Sequence, residues 1–214
     1  MQLKAVIFDL DGTLLYTLDD LTESTNYALN QFGFPTRTKD EIKNFVGNGV
    51  EKLIERAIPN GLQNPKYQEC LDTFKIHYSD TMYNQTKPFD GIIDVLTKLK
   101  KEHYKLAVVS NKFDTAVKEL CNKYFNGLID IAVGQKQDIE PKPSPDSVNE
   151  VISILGLKPS ECIYVGDSEV DIQTAKNAGI DCISVTWGYK NIDFLYENGA
   201  SVFAYIPEDI CNLI

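Results

Sequence analysis

The sequence is poor in the residues that build disulfide or zinc frameworks. Its five cysteines are scattered and odd in number, and no two of them form a Cys-x-x-Cys pair. Both features argue against a disulfide scaffold and against a zinc site. We therefore interpret the cysteines as reduced packing residues, at positions Cys70, Cys121, Cys162, Cys182 and Cys211.

Long apolar segments are also missing. No apolar run approaches the roughly 18 residues that a membrane-spanning helix needs. The chain enters a strand-like segment after four residues, without the apolar region of a secretory signal. We therefore expect no membrane association and a cytoplasmic location.

Positive charge is scarce, and the net charge is -10. Such a charge repels nucleic acid at long range, and no basic patch offsets it, so we expect no nucleic-acid partner. A small phosphorylated substrate stays possible, because a divalent cation and a lysine can reverse the potential inside an acidic cleft. With 214 residues, 43% of them hydrophobic, the chain can form one large domain or a core domain with an insertion.

The most informative motif lies near the N-terminus, where an apolar run ends in two carboxylates. Residues 5–8 have the composition of a strand that is covered on both faces. Side chains at i and i+2 share a face, so Asp9 and Asp11 can address one small volume while Gly12 lets the backbone turn around it. One carboxylate could attack while the other moves protons. The alternatives are an ordinary polar turn and, less well matched, a calcium loop, since Gly12 is fourth from Asp9 where an EF-hand requires glycine sixth.

Two patterns divide the rest of the chain. From about residue 17 to 86, apolar residues recur at three- and four-residue steps, which predicts helices. After a linker at 87–91, short apolar runs alternate with helical segments, which predicts parallel strands joined by right-handed crossovers. We therefore expect an α/β fold, with a Rossmann-like parallel sheet core and an inserted helical segment. The predicted helices are 18–32, 39–45, 50–57, 65–82, 92–101, 114–124, 145–155, 170–178 and 192–198, and the predicted later strands are 105–109, 131–133, 162–165, 182–185 and 202–204.

Polar residues follow several of these strands. In open parallel sheets, ligands bind beyond the carboxyl ends of the strands, so residues placed there are expected to converge on one rim. Besides the N-terminal motif, the candidates are Ser110 and Asn111 after one strand, Lys142 in a loop, and Asp167 and Asp171 after another strand. Each residue alone also has an ordinary structural explanation. Ser110 could cap a turn, Lys142 could be a solvated loop residue, and Asp167 and Asp171 could be acids at a helix N-terminus.

Taken together and in order, these segments resemble the motifs of the haloacid dehalogenase (HAD) superfamily of phosphohydrolases. The resemblance covers essentially the whole chain. The four motifs are Asp9-Leu10-Asp11-Gly12-Thr13, Ser110, Lys142 within Lys142-Pro143-Ser144-Pro145, and Gly166-Asp167-Ser168-Glu169-Val170-Asp171.

The resemblance implies a catalytic core domain of residues 1–15 and 88–214 and a helical cap domain of residues 16–87, inserted after the first strand. Within the insert, residues 44–57 look like the corresponding stretch of phosphoglycolate phosphatases. Relatives of that kind commonly carry an acidic residue where this chain has Tyr16. We expect Lys52 or Arg56 to bind the non-phosphate end of the substrate, although an exposed helical pair beside glutamates is typical of a solvated face.

The resemblance also implies a role for each core residue. Asp9 is expected to be the nucleophile that forms an aspartyl-phosphate, and Asp11 the acid and base that exchanges protons. The family pattern makes Mg²⁺ the cofactor, held by the Asp9 side chain, the Asp11 backbone carbonyl and Asp167, with Asp171 in an outer position. The expected phosphate ligands are Ser110, Lys142, Asn111 and the backbone at Gly12.

The leading hypothesis is therefore a Mg²⁺-dependent phosphatase, phosphoglycolate phosphatase-like, acting on a small soluble phosphate ester as a monomer or homodimer. A phosphomutase similar to β-phosphoglucomutase is the nearest alternative, because it shares the aspartate chemistry. Pyrophosphatases and nucleotidases share the same architecture. From a different class, a phospho-receiver signalling module also uses a strand-end aspartate, Mg²⁺, a hydroxyl and a lysine.

Overall fold

The computed structural model describes residues 2–214, which form two compact units. One unit contains residues 2–15 together with 88–214, and the other contains residues 16–87. The strands are β1 (Ala5–Phe8), β2 (Leu15–Tyr16), β3 (Lys87–Pro88), β4 (Lys105–Phe113), β5 (Ile131–Gln135), β6 (Cys162–Gly166), β7 (Asp181–Val185) and β8 (Phe203–Ala204).

The first unit is built on a six-stranded sheet with the order β5-β4-β1-β6-β7-β8, in which the paired strands are parallel. Strand β1 is central, and all four of its residues are buried, as its unbroken apolar composition predicts. The expected α/β fold with a parallel sheet is confirmed. The short strands β2 and β3 form a separate two-stranded sheet.

The helices follow the predicted alternation. They are α1 (Leu18–Gln31), α2 (Lys39–Phe45), α3 (Val50–Ala57), α4 (Tyr67–Thr81), α5 (Ile92–Lys101), α6 (Asp114–Phe125), α7 (Asp146–Leu155), α8 (Glu169–Ala178), α9 (Ile192–Glu197) and α10 (Ile210–Leu213). A buried apolar cluster joins one face of strands β1, β4 and β6 to helices α7 and α8. Since apolar burial is the dominant stabilising term, this cluster fixes the strand ends relative to one another.

The residue 16–87 unit consists of helices α1 to α4. Helix α2 begins with a capping box, in which Thr38 and Glu41 satisfy each other's backbone N–H groups. The buried carboxylate of Asp20 on α1 accepts hydrogen bonds from the backbone N–H groups of Gln85 and Thr86, at 3.0 and 2.9 Å, which ties the two ends of this unit together. Within residues 2–214, no helix combines the length and apolarity that crossing a bilayer requires.

Strand β4 differs from its prediction. The apolar run predicts a strand that ends at Val109, but the strand continues through Ser110, Asn111 and Lys112 to Phe113. Its register with β5 shifts between Val109 and Phe113. The first three residues of the extension are polar with buried side chains, which a hydrophobicity pattern does not recognise as strand.

Candidate active site

Three neighbouring strands end at the same rim of the sheet. Phe8, the last residue of β1, lies opposite Val108 of β4 and Val165 of β6. Asp9 therefore follows the central strand, Ser110 belongs to the strand on one side and Asp167 follows the strand on the other. Parallel pairing thus brings together residues that are more than 100 positions apart.

Three buried carboxylates form a cluster at this rim. Oxygens of Asp9, Asp167 and Asp171 all lie within 4.8 Å of one another. Oxygen ligands at this spacing suit a hard divalent cation. The side chain of Asp11, two residues after Asp9, is not part of this oxygen cluster; it is 13% exposed.

Lys142 lies against the cluster and is buried. Its Nζ donates to Asp171 Oδ1 at 2.7 Å and to the hydroxyl of Tyr164 at 2.9 Å, and it lies 3.0 Å from Asp9 Oδ1. The Tyr164 hydroxyl in turn donates to the carbonyl of Val109 at 3.0 Å. The first two contacts are hydrogen bonds, whereas the third is an ion pair, because the buried Asp9 Oδ1 accepts no hydrogen bond from the residues that the structure describes.

The protonation of the cluster reflects its burial. Burial raises the pKa of Asp9 to about 7, the ammonium of Lys142 opposes this rise, and Asp171 and Asp11 add to it. Burial and the charges of Asp171 and Asp9 likewise hold the pKa of Asp167 well above its usual range. Although burial alone would lower the pKa of Lys142, its carboxylate neighbours raise it well above its usual range. The cluster therefore contains more carboxyl groups than the single ammonium group of Lys142 can neutralise.

The donor set fits a bound divalent cation. Three buried carboxylates face one lysine, and a cation would supply the missing positive charge. Asp171 has little capacity left as a direct ligand, because its Oδ1 accepts from Lys142 and its Oδ2 accepts from the backbone N–H and hydroxyl of Ser168, at 3.1 and 2.6 Å. Asp171 thus orients Lys142, while Asp9 and Asp167 have more capacity as ligands.

The end of strand β4 connects to two other parts of the site. The amide of Asn111 donates to the backbone carbonyl of Lys142 at 2.9 Å and accepts from its backbone N–H at 2.8 Å. Asn111, expected as a phosphate ligand, therefore uses its amide to hold the Lys142 backbone. The next residue, Lys112, contacts both carboxylate oxygens of Asp11, at 2.9 and 3.0 Å. The Ser110 hydroxyl accepts from the backbone N–H of Lys112 at 3.3 Å.

The sequence places Lys112 at the rim together with Ser110 and Asn111 but predicts no role for it, and it does not predict Gly188 or Tyr189 at the site. The signal for Lys112 was its place directly after Ser110 and Asn111, where a charged side chain continues a strand end. Gly188 and Tyr189 follow β7, and the backbone N–H of Tyr189 donates to Asp167 Oδ2 at 2.7 Å. No sequence motif identifies these two residues, because Tyr189 contributes only its backbone N–H and Gly188 contributes only the space left by its missing side chain.

Glycines make room for the Asp167 carboxylate. A Cβ at Gly12 or at Gly188 would overlap its carboxyl group. Gly12 additionally has a φ of 87°, a conformation that side chains disfavour. The carboxylate is therefore confined between two backbone segments that leave no space for a methyl group.

We expect the Gly188→Ala variant to bind a divalent cation about 10- to 100-fold more weakly, the range seen when residues that orient metal ligands are altered. The added methyl group displaces Asp167. Titration with Mg²⁺ can be followed by the fluorescence of Trp187, the single tryptophan, whose indole N–H donates to the carbonyl of Thr13 at 3.1 Å. Unchanged Mg²⁺ affinity would contradict the prediction.

Gly179→Ala is the matched control for this variant. Gly179 ends helix α8 with a φ of 69°, and an added Cβ there meets nothing within 4 Å. The control introduces backbone strain without moving Asp167, so it should lower stability and leave Mg²⁺ affinity unchanged.

The residues expected to read the substrate lie in the residue 16–87 unit. Lys52 pairs with Glu55 at 2.6 Å, one turn along helix α3. The guanidinium of Arg56 donates to the carbonyl of Phe45 at 2.7 Å, at the end of helix α2. Both side chains are exposed, and each has a partner within its own unit.

Comparisons with known proteins point to one family. Residues 6–185 match the model of the family described as haloacid dehalogenase-like hydrolase. A phosphoglycolate phosphatase from Aquifex aeolicus is 32% identical over 192 residues, which span 89% of this chain and 88% of that protein. A phosphoglycolate phosphatase from Aliivibrio fischeri is 32% identical over 199 residues, 88% of this chain and 86% of that protein.

A solved structure is also close to this one. The crystal structure of a candidate phosphoglycolate phosphatase from Lactobacillus delbrueckii subsp. bulgaricus superimposes with a TM-score of 0.94 at 38% identity, covering 100% of this chain and 99% of that one. The agreement therefore extends over both units, each of which has its counterpart in the solved chain.

Proposed function

Because the chain belongs to the haloacid dehalogenase-like hydrolase family and is a phosphatase, we propose that it hydrolyses a small phosphate monoester, with phosphoglycolate the first candidate. The observation that supports this most directly is the contact between two separate motifs at one rim, where Lys142 Nζ lies 3.0 Å from Asp9 Oδ1. The same rim holds Asp11, Ser110 and Asp167. Phosphatase relatives that span most of this chain support the choice of substrate.

In the first step, Asp9 attacks phosphorus. A bond forms between an Asp9 carboxylate oxygen and phosphorus, and the bond between phosphorus and the ester oxygen breaks. Asp11 gives its proton to the departing oxygen, which leaves as the alcohol. Lys142 and the hydroxyl of Ser110 stabilise the phosphoryl oxygens.

In the second step, water attacks the phosphorus of the aspartyl-phosphate. Asp11, now ionised, accepts a proton from that water, the bond between phosphorus and the Asp9 oxygen breaks, and inorganic phosphate leaves. Asp9 and Asp11 thereby return to their starting protonation states. Splitting one slow displacement into two faster ones is the purpose of the covalent intermediate.

The proposed cofactor is Mg²⁺, held by the side chains of Asp9 and Asp167 and by the backbone carbonyl of Asp11, with Asp171 in an outer position. When bound, it supplies positive charge that lets two carboxylates and a phosphate dianion share one small volume. The raised pKa values of Asp9 and Asp167 support the need for such a charge.

We further propose that the residue 16–87 unit acts as a cap domain and that Lys52 or Arg56 contacts the non-phosphate end of the substrate. Either side chain would have to leave its present partner, Glu55 or the Phe45 carbonyl. Lysine and arginine suit a carboxylate such as that of phosphoglycolate.

The cytoplasmic location and the monomer or homodimer state stay predictions from the sequence.

A substrate panel tests the proposed function. We expect release of inorganic phosphate from phosphoglycolate to exceed that from sugar phosphates, nucleotides and pyrophosphate, and to stop when EDTA removes the cation. Isomerised sugar phosphate without free phosphate would indicate a mutase instead. Activity that EDTA does not reduce would contradict the cation requirement.

A further inference from the structure

Lys112 is a buried lysine to which the reaction steps above assign no task. Its side chain is 2% exposed, and its Nζ contacts both carboxylate oxygens of Asp11, at 2.9 and 3.0 Å. A buried ammonium without a partner would be strongly destabilising. The buried Lys112–Asp11 ion pair is therefore expected to keep one geometry, unlike an ion pair between solvated surface side chains.

Each of the two aspartates of the N-terminal motif has its own ammonium group. Lys142 lies 3.0 Å from Asp9, and Lys112 lies 2.9 Å from Asp11. The two lysines approach from different segments, one from the loop after β5 and the other from the end of β4. Each aspartate therefore has a separate ammonium partner.

The extended end of strand β4 provides the rigid base for Lys112. Its backbone N–H donates to Ser110 Oγ at 3.3 Å, and the amide of the preceding residue, Asn111, is bound on both sides to the Lys142 backbone. A lysine side chain is long and flexible, so its ammonium can orient a partner only when its own backbone is fixed.

We propose that Lys112 is a positioning residue that orients the Asp11 carboxyl group toward the leaving-group oxygen. The proposal rests on the proposed function, in which Asp11 exchanges the proton. An aspartate side chain rotates about two bonds, and the contact of one ammonium with both oxygens restrains both rotations while Asp11 is ionised, the form that accepts a proton from water. When Asp11 carries the proton, one oxygen can keep the Lys112 contact while the other faces the leaving group. A proton donor must lie within hydrogen-bond reach of its acceptor, and a displacement of about 1 Å can lower the rate about 10²-fold.

The test compares Lys112→Met, Asp11→Asn and the double variant on two substrates with Mg²⁺ present. The first substrate is phosphoglycolate, or the alkyl phosphate that the panel shows to turn over fastest. The second is p-nitrophenyl phosphate, whose leaving group departs without a proton. The rate of the first turnover is measured for each, so that only the step that expels the leaving group is compared.

We expect Lys112→Met to slow the alkyl phosphate about 10²-fold and p-nitrophenyl phosphate less than about 10-fold, as the loss of a positioned acid would. The double variant should be no slower than Asp11→Asn alone, because both changes remove the same contribution. Lys112→Arg, which keeps the charge, should recover part of the alkyl phosphate rate. The ratio between substrates does not depend on how much protein is folded.

Lys100→Met is the matched control. Lys100 makes the same two-oxygen contact with Asp130, at 2.8 and 2.9 Å, near the opposite end of β4. The Lys100→Met variant should therefore leave the ratio of the two substrate rates unchanged. Equal slowing of both substrates by Lys112→Met, or an additive loss in the double variant, would overturn the Lys112 proposal alone. If Asp11→Asn itself slows both substrates equally, the role of Asp11 fails, and the Lys112 proposal fails with it.

Discussion

The Asp9→Asn variant is expected to lose phosphatase activity by about 10⁴-fold or more, because the carboxylate that attacks phosphorus is gone. An amide oxygen is a poor nucleophile and cannot form the acyl-phosphate. Steady-state release of phosphate from the best substrate measures the loss. Rapid acid quench with radiolabelled substrate should trap label on the wild-type protein and none on the variant.

The stability of Asp9→Asn should not fall with its activity. Burial raises the pKa of Asp9 to about 7, which means that the folded protein disfavours its ionised form, and a neutral amide removes that penalty. Thermal unfolding without metal should therefore occur at or above the wild-type temperature. Asp181→Asn, an exposed change at the amino end of β7, is the control and should retain full activity. Substantial turnover by Asp9→Asn would exclude Asp9 as the nucleophile.

The second large effect is expected for Lys142→Met, which should lower kcat about 10²- to 10⁴-fold. The variant removes the charge that stabilises the phosphoryl oxygens. It also removes the ammonium that lowers the pKa of Asp9 against the effect of burial. The pKa of Asp9 therefore rises further, a larger fraction of Asp9 is protonated at neutral pH, and the acid limb of the rate profile should move to higher pH.

Stability gives an independent readout for Lys142→Met. Removing one partner of a buried ion pair leaves its carboxylates uncompensated, and we expect a loss of about 3 kcal/mol in the free energy of unfolding at neutral pH. The loss should shrink as the pH is lowered, since protonation of Asp9 removes the uncompensated charge. Lys136→Met, which breaks a half-exposed pair with Glu150, is the control and should change both readouts little. A wild-type rate profile in Lys142→Met would contradict the assigned role.

The sequence predicts the fold well because hydrophobic periodicity determines most of its elements. Helices α2 and α3 begin and end at the predicted residues, and the burial of β1 follows from its unbroken apolar run. The parallel sheet follows from the alternation of strands and helices. The end of β4 was missed, since its polar residues are buried through hydrogen bonds and an ion pair, and apolar packing is the only burial that periodicity detects.

The site was predictable where a reactive side chain follows a strand, and less so where a residue acts by supporting another. Asp9 and Asp167 gather at one rim, as their places after strands indicate, and Lys142 reaches the same rim from a loop. Gly188 could not be found in this way, because its contribution is the space that it leaves beside Asp167. Supporting contacts of this kind depend on three-dimensional proximity, which spacing along the chain does not encode.

The amide of Asn111 has a consequence for how this protein can diverge. It hydrogen-bonds both the backbone N–H and the backbone carbonyl of Lys142. The backbone that carries the ammonium is therefore anchored to β4 as well as to the chain that precedes it. We therefore expect residues 136–141, which connect β5 to Lys142, to tolerate changes of length better than residues 110–112 do. The chemistry at the rim can then stay the same while this loop changes.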